Sequence, residues 1–143
     1  MKVMCMEPVK VRKVVKKLQP RLNQVVKSLI DEAAISKKSK ERLKEVHMFP
    51  VNQLGGRAYY LNNTVTIPKW AFEYRRKNFL KHYAAHELAH ILAYETYGHA
   101  IAPHGSEFYK CLKKLTTDTL HFELDYKPKN AAAAGIQKTK YNG

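Results

Sequence analysis

The stretch that decides the fold is Phe79-Leu80-Lys81-His82-Tyr83-Ala84-Ala85-His86-Glu87-Leu88-Ala89-His90-Ile91-Leu92-Ala93-Tyr94-Glu95-Thr96-Tyr97, which stops at Gly98. Alanine, leucine and aromatic residues occupy nearly every side of it, so it predicts a helix buried on most faces, opened by Asn78 and closed by a glycine C-cap. Within it stands His86-Glu87-Leu88-Ala89-His90, an HExxH motif. Four residues advance a helix by about 400°, so the two imidazoles lie one turn apart on one face and can share a metal ion. Glu87 is rotated from them by about 100°, which sets its carboxylate beside the ion without making it a ligand. This is the arrangement of a zinc hydrolase, in which zinc lowers the pKa of its bound water to roughly 7 and the glutamate takes the proton as the water attacks a carbonyl. Seven histidines and nine glutamates among 143 residues generate an HExxH by chance in only about 2% of such compositions. The bland alternative, two packing histidines and a surface glutamate, leaves a polar face that is costly to satisfy on a buried helix.

A catalytic zinc takes three protein ligands, and four residues compete for the third place. His82 shares the helix, but eight residues from His90 is about 12 Å along the axis, too far for one ion with bonds of about 2 Å; it is expected behind the ligands or at the entrance. His99 abuts the helix stop. Glu107 serves only if the next helix approaches by that face, and the position six after His90, where another zincin pattern requires histidine, is Thr96. His104 is the leading candidate. It follows a loop long enough to return over the helix, with Gly105 permitting a turn and Ser106 starting the next helix.

Working outward, Arg57-Ala58-Tyr59-Tyr60-Leu61 and Thr64-Val65-Thr66-Ile67 flank Asn62-Asn63, two residues that tolerate positive φ in a tight hairpin. Residues 46–49 add a third strand. Pro68 opens a helix over 69–77. Upstream, Val11, Val14, Val15, Leu18, Leu22, Val25, Val26, Leu29, Ile30 and Ala33 step by threes and fours, as a helical stripe does; Pro20 marks a kink or the first turn of a second helix. Ser39 is expected to cap a short helix over 40–46. Downstream, Ser106 is expected to cap a last helix carrying Phe108, Cys111, Leu112 and Leu115. The tail from Lys127 shows no amphipathic pattern and is expected to be disordered. The resulting expectation is an α+β fold in one domain, residues 1–126, with basic N-terminal helices over 8–46, a small sheet over 46–67 and the motif-bearing helices over 68–118, followed by a tail, 127–143.

Composition narrows the partners. At 45% apolar and 27% charged residues the chain is globular in character, not disordered throughout. Its net charge is +14, which favours polyanionic partners, nucleic acid first. Residues 1–45 carry 13 basic and 5 acidic side chains, residues 46–126 carry 9 and 7, and residues 127–143 carry 4 and none. The charge thus belongs to the two ends, which are expected to contact DNA, and avoids the segment with the motif. Cys5 and Cys111, the only cysteines, form no CxxC pair and exclude a cysteine-only zinc site. No apolar run approaches the about 20 residues of a membrane span, and the first residues lack an apolar leader core, so an intracellular protein without membrane contact is expected.

His86-Glu87-Leu88-Ala89-His90, then Gly98, then Ala102-Pro103-His104-Gly105-Ser106-Glu107-Phe108 resemble the SprT-like family of zinc metalloproteases. The resemblance extends less sharply upstream through Gly56-Arg57-Ala58-Tyr59-Tyr60 and downstream to His121-Phe122-Glu123-Leu124. It implies a zincin-like domain in which His86, His90 and His104 ligate zinc and Glu87 is the general base. It also implies cleavage of proteins bound or crosslinked to DNA; the expected location is cytoplasmic, bacterial or phage-encoded, or otherwise intracellular. Such proteins commonly continue into a zinc ribbon with paired cysteines; these are absent here, and a minimal form is expected. Zincins commonly lay an extended peptide along an edge strand, expected here at residues 57–61 or 64–67, with an ordinary core hairpin as the equal alternative. Tyr83, Tyr94, Tyr97 and Tyr109 flank the motifs; aromatics near a core are more often packing than oxyanion donors, and none is singled out. The competing function is a nucleic-acid-binding or regulatory module that keeps zinc for stability alone; Glu87 argues against it, because a structural zinc site needs no carboxylate beside the ion and usually has four protein ligands.

Overall fold

In the computed structural model, which describes residues 10–74 and 78–116, a central helix is surrounded by four others and a small sheet. The order is α1 (Gln19–Glu32), α2 (Lys37–Lys44), β1 (His47–Val51), β2 (Arg57–Tyr59), β3 (Thr64–Pro68), α3 (Lys69–Glu73), α4 (Phe79–Tyr97) and α5 (Ser106–Leu115). The architecture is α+β, as expected. Helix α4 is the axis because it has almost no polar side: Leu80, Tyr83, Ala84, Ala85, Leu88, Ala89, Ile91 and Leu92 are all buried. Its alanines let neighbours approach closely, so α1, α2, α3, α5 and the sheet pack around it. Gly98, at φ 82, ends the helix and donates its N–H to the Tyr94 carbonyl.

The sheet has the order β1-β3-β2, with β1 parallel and β2 antiparallel to the fully buried β3. A strand buried on both faces reads as a continuous run, and Thr64-Val65-Thr66-Ile67 does so. The hairpin is shorter than expected. Tyr60–Asn62 form a 3-10 turn instead of extending the strand, and only Asn63, at φ 52, takes the left-handed conformation. Asn63 is held there by its own side chain, whose Nδ2 donates to the Glu45 carbonyl (2.7 Å) and whose Oδ1 accepts from Arg42 Nη1 (2.6 Å).

The first turns of the expected N-terminal helix are not helical. Lys13 sits at φ 59, Val14 bridges Val51, Val15 N–H donates to the Pro50 carbonyl and Asn52 N–H donates to the Lys13 carbonyl. The paired β-branched residues Val14 and Val15 suit an extended edge as well as a helical stripe, and the outer side of β1 supplied partners. This covers one edge of the sheet and leaves β2 as the open one among the described residues. Pro20 falls in the first turn of α1, as the second of its two readings requires.

Three caps differ in detail. Ser36, not Ser39, caps α2, accepting from Ser39 N–H at 3.1 Å and starting the helix three residues early. Gly105 precedes α5, and the Ser106 hydroxyl donates to Glu107 Oε1 instead of capping. Asn78 does head α4, but in a left-handed conformation (φ 62) and without a side-chain bond. Helix α3 ends at Glu73, where Tyr74 turns extended. The motif-bearing helices end at Leu115, with Thr116 extended. The segment 121–124 and the tail 127–143 lie outside the described residues.

Candidate metal centre and cleft

His86 and His90 project from adjacent turns of α4. Beyond Gly98 the chain folds back, and a turn over residues 102–105, closed by Gly105 N–H to the Ala102 carbonyl at 3.2 Å, delivers His104 opposite them. A Cβ on residue 105 would stand 3.0 Å from Ala102 Cβ, a tight contact that glycine avoids. Each imidazole offers one nitrogen, and the three lie within 4.8 Å of one another. His104 Nε2 and His86 Nε2 are 3.2 Å apart, close to the about 3.3 Å that separates two nitrogens bonded at 2.0–2.1 Å to one tetrahedral ion. The donor set therefore fits a zinc-sized ion, and all three members are those expected from the sequence.

Phe108 supports the cluster from below. It is fully buried, and its ring centroid lies 5.0 Å from that of His86, 4.4 Å from His90 and 5.1 Å from His104. One rigid side chain from the first turn of α5 thus limits the rotation of three imidazoles at once. Burial, and then the neighbouring His104, pushes His90 down to about 4. At neutral pH it is uncharged, the only form that can donate its lone pair to a metal.

Glu87 is 7% exposed. It faces a cleft of about 410 Å³ whose floor is α4, with Pro103 and His104 on one side and Gly56, Arg57, Ala58 and Tyr60 on the other. Tyr83 anchors that second wall, its hydroxyl accepting from Gly56 N–H at 2.8 Å. Gly56 must be glycine, because a Cβ would run into the Thr66 carbonyl and lie 2.8 Å from the Tyr83 ring. Trp70 Nε1 donates to the Leu54 carbonyl at 2.6 Å, so two aromatic side chains staple the β1–β2 loop and hold β2 at the rim.

The competing ligands stay out of the cluster. His82 is 3% exposed in the core, which excludes the entrance position. His99 is exposed and stacks on Tyr94 with centroids 5.6 Å apart. Glu107 accepts from its neighbour Ser106, which holds its carboxyl below the usual carboxylate range. Thr96 is turned to the Leu92 carbonyl. Of the four tyrosines flanking the motifs only Tyr83 lines the cleft, and it is clamped to Gly56.

Tyr60 was expected only as part of the strand over 57–61, not as a residue packed against the histidines. Its ring stacks on Tyr94 (5.0 Å, 3°) and meets His90 edge-on at 6.4 Å. Burial, and then the charge of Glu87, raises its pKa, as both also do for Tyr83. It sits in a turn with no periodic pattern, and only the approach of that turn to α4 brings it to the site.

No described helix is long and apolar enough to cross a membrane. A segment of 72 residues is 31% identical to Protein SprT of Pseudomonas fluorescens (strain SBW25), covering 48% of this chain and 44% of that protein, so the chain spans less than half of that relative's length. No solved structure matches. The family model described as the SprT-like family matches residues 16–129, from before α1 to beyond α5. The chain belongs to the SprT-like family, whose membership implies a zincin-like fold and is consistent with a metallopeptidase-type domain.

Proposed function

We propose that the protein is a zinc-dependent peptidase that hydrolyses peptide bonds in proteins bound or crosslinked to nucleic acid. The observation that carries this reading is the convergence of His86, His90 and His104 within 4.8 Å beside the buried Glu87, at the floor of an open cleft. His86, His90 and His104 hold the ion. When bound, Zn²⁺ supplies Lewis-acid polarisation of the peptide carbonyl and of the attacking water. Glu87 accepts the proton of the water as its oxygen bonds to the carbonyl carbon, and returns that proton to the amide nitrogen as the C–N bond breaks. Tyr60, kept protonated, presents a hydroxyl donor to the cleft. The open edge of β2 pairs with an extended peptide through backbone hydrogen bonds, which gives affinity tolerant of sequence.

The nucleic-acid partner is supported by the exposed cations of the N-terminal region: Lys16 and Lys17 in the 3-10 turn, Arg21 and Lys27 on α1, and Lys37 and Lys38 on α2. Burial of Glu87 against the cleft favours an enzyme over a structural zinc module. Glu87→Gln decides between them. Zinc content and thermal unfolding should match the wild type while digestion of casein or histone, with and without single-stranded DNA, falls at least about 10²-fold. Unchanged digestion would overturn the mechanism.

A further inference from the structure

Among the residues lining the cleft, the one carboxylate is Glu87 on the floor and the one guanidinium is Arg57 on the rim. Arg57 is exposed, and its guanidinium rests over the Tyr59 ring, 5.5 Å from the centroid. Among the described residues it has no ion-pair partner, unlike Arg42, Lys44 and Lys81, which are matched to Glu95, Asp31 and Glu32. Its backbone is fixed, because its N–H donates to Thr66 Oγ1 at 3.1 Å next to the stapled Gly56. An arginine held at the edge of a cleft, without a carboxylate of its own, is arranged to receive one from outside.

The strand register says where. Arg57 and Tyr59 alternate with Ala58, so they share one face of β2, while Ala58 packs on the core. A peptide pairing with the open edge of β2 sets the side chain opposite Arg57 on that same face, with Cβ atoms about 4.5–5.5 Å apart. That is within reach of a forked guanidinium–carboxylate contact. A cationic side chain in the same place meets Arg57 head-on.

We propose that Arg57 is a specificity-determining residue that selects peptides carrying an aspartate or glutamate at the position paired with it, close to the bond that is cut. This rests on the peptidase reading above. The expected preference is about fivefold, the scale of a solvent-exposed charge pair.

The test uses the full, zinc-loaded chain and fluorogenic peptides in which Glu, Gln or Lys is stepped through three positions on each side of the cut. In the wild type one position should favour Glu over Lys about fivefold in kcat/KM; Arg57→Gln should flatten the preference there, and Arg57→Glu should invert it there alone. Fluorescence anisotropy of the same peptides on zinc-loaded Glu87→Gln, with and without Arg57→Glu, reads binding independently of turnover and should show the same inversion. Identical preferences with and without Arg57→Glu would overturn the proposal, as would a loss of single-stranded DNA affinity with peptide preference unchanged, which would make Arg57 a nucleic-acid contact. If the wild type cuts no peptide, the peptidase reading fails by itself, and the anisotropy still decides Arg57.

Discussion

At the scale of single residues, the site is three imidazoles made to converge by one phenylalanine and one turn. Neither His86 nor His90 can choose its partner alone, since α4 supplies only their spacing. His104 arrives because the 102–105 turn, closed by Gly105 N–H on the Ala102 carbonyl, carries it back and Phe108 packs beneath all three rings. His104→Ala should therefore lower zinc occupancy of purified protein, measured by atomic emission. His82→Ala, which empties a core position one turn before His86 and outside the cluster, should leave the zinc in place while lowering the melting temperature. The reverse pattern would exchange their roles. His104 was legible because its histidine stood at the right distance past the helix stop. Tyr60 was not, because a phenol in a three-residue turn carries no spacing that points at a helix twenty residues on.

At the scale of elements, Asn63 ties the sheet to the helices. Its left-handed backbone ends the turn before β3, its side chain bonds α2 through Arg42 and the carbonyl of Glu45, and its own carbonyl accepts from His47 N–H at the start of β1. Arg42 continues the link to Glu95 on α4 at 2.7 Å. Asn63→Ala removes the side-chain bonds at a 4% exposed site and leaves an alanine in a strained conformation. It should cost about 1–3 kcal/mol in urea unfolding. A loss within 0.5 kcal/mol would mean that the hub is dispensable. A tight turn at Asn62-Asn63 was readable from the tolerance of asparagine for positive φ. Its displacement, with Tyr60–Asn62 coiling into a 3-10 turn, was not, because it follows from the bonds Asn63 makes to α2. The extended segment at Val14 was hidden for a related reason. Its apolar spacing satisfies a helix, and only the unoccupied edge of β1 makes the strand-like alternative better.

At the scale of the whole molecule, charge and chemistry are separated along the chain. The +14 sits chiefly outside residues 46–126, while the cleft holds one cation on its rim and one buried carboxylate on its floor. For the proposed nucleic-acid partner, affinity for single-stranded DNA should fall steeply with salt, with a logarithmic slope of about −0.7 per phosphate contact. Replacing the exposed Lys16 and Lys17 by Gln should make that slope shallower by about one to two contacts, without changing zinc content. Salt-independent binding in a filter or anisotropy titration would remove the partner. Deleting residues 127–143 tests the second basic end in the same assay.

The residue order alone determines the long buried helix, the one-turn spacing of His86 and His90, the offset of Glu87 and the stop at Gly98. These are local consequences of helical geometry and of glycine's freedom at positive φ. That His104 actually reaches the two helix-borne histidines, which strand is left open at the rim, and that Tyr60 and Arg57 line the cleft are decided by packing. Each depends on segments distant in sequence meeting on α4: the turn at residues 102–105 carried in by Phe108, and β2 held to Tyr83 through Gly56. Spacing along a chain specifies contacts within one helix; contacts between elements follow from which buried surfaces fit together.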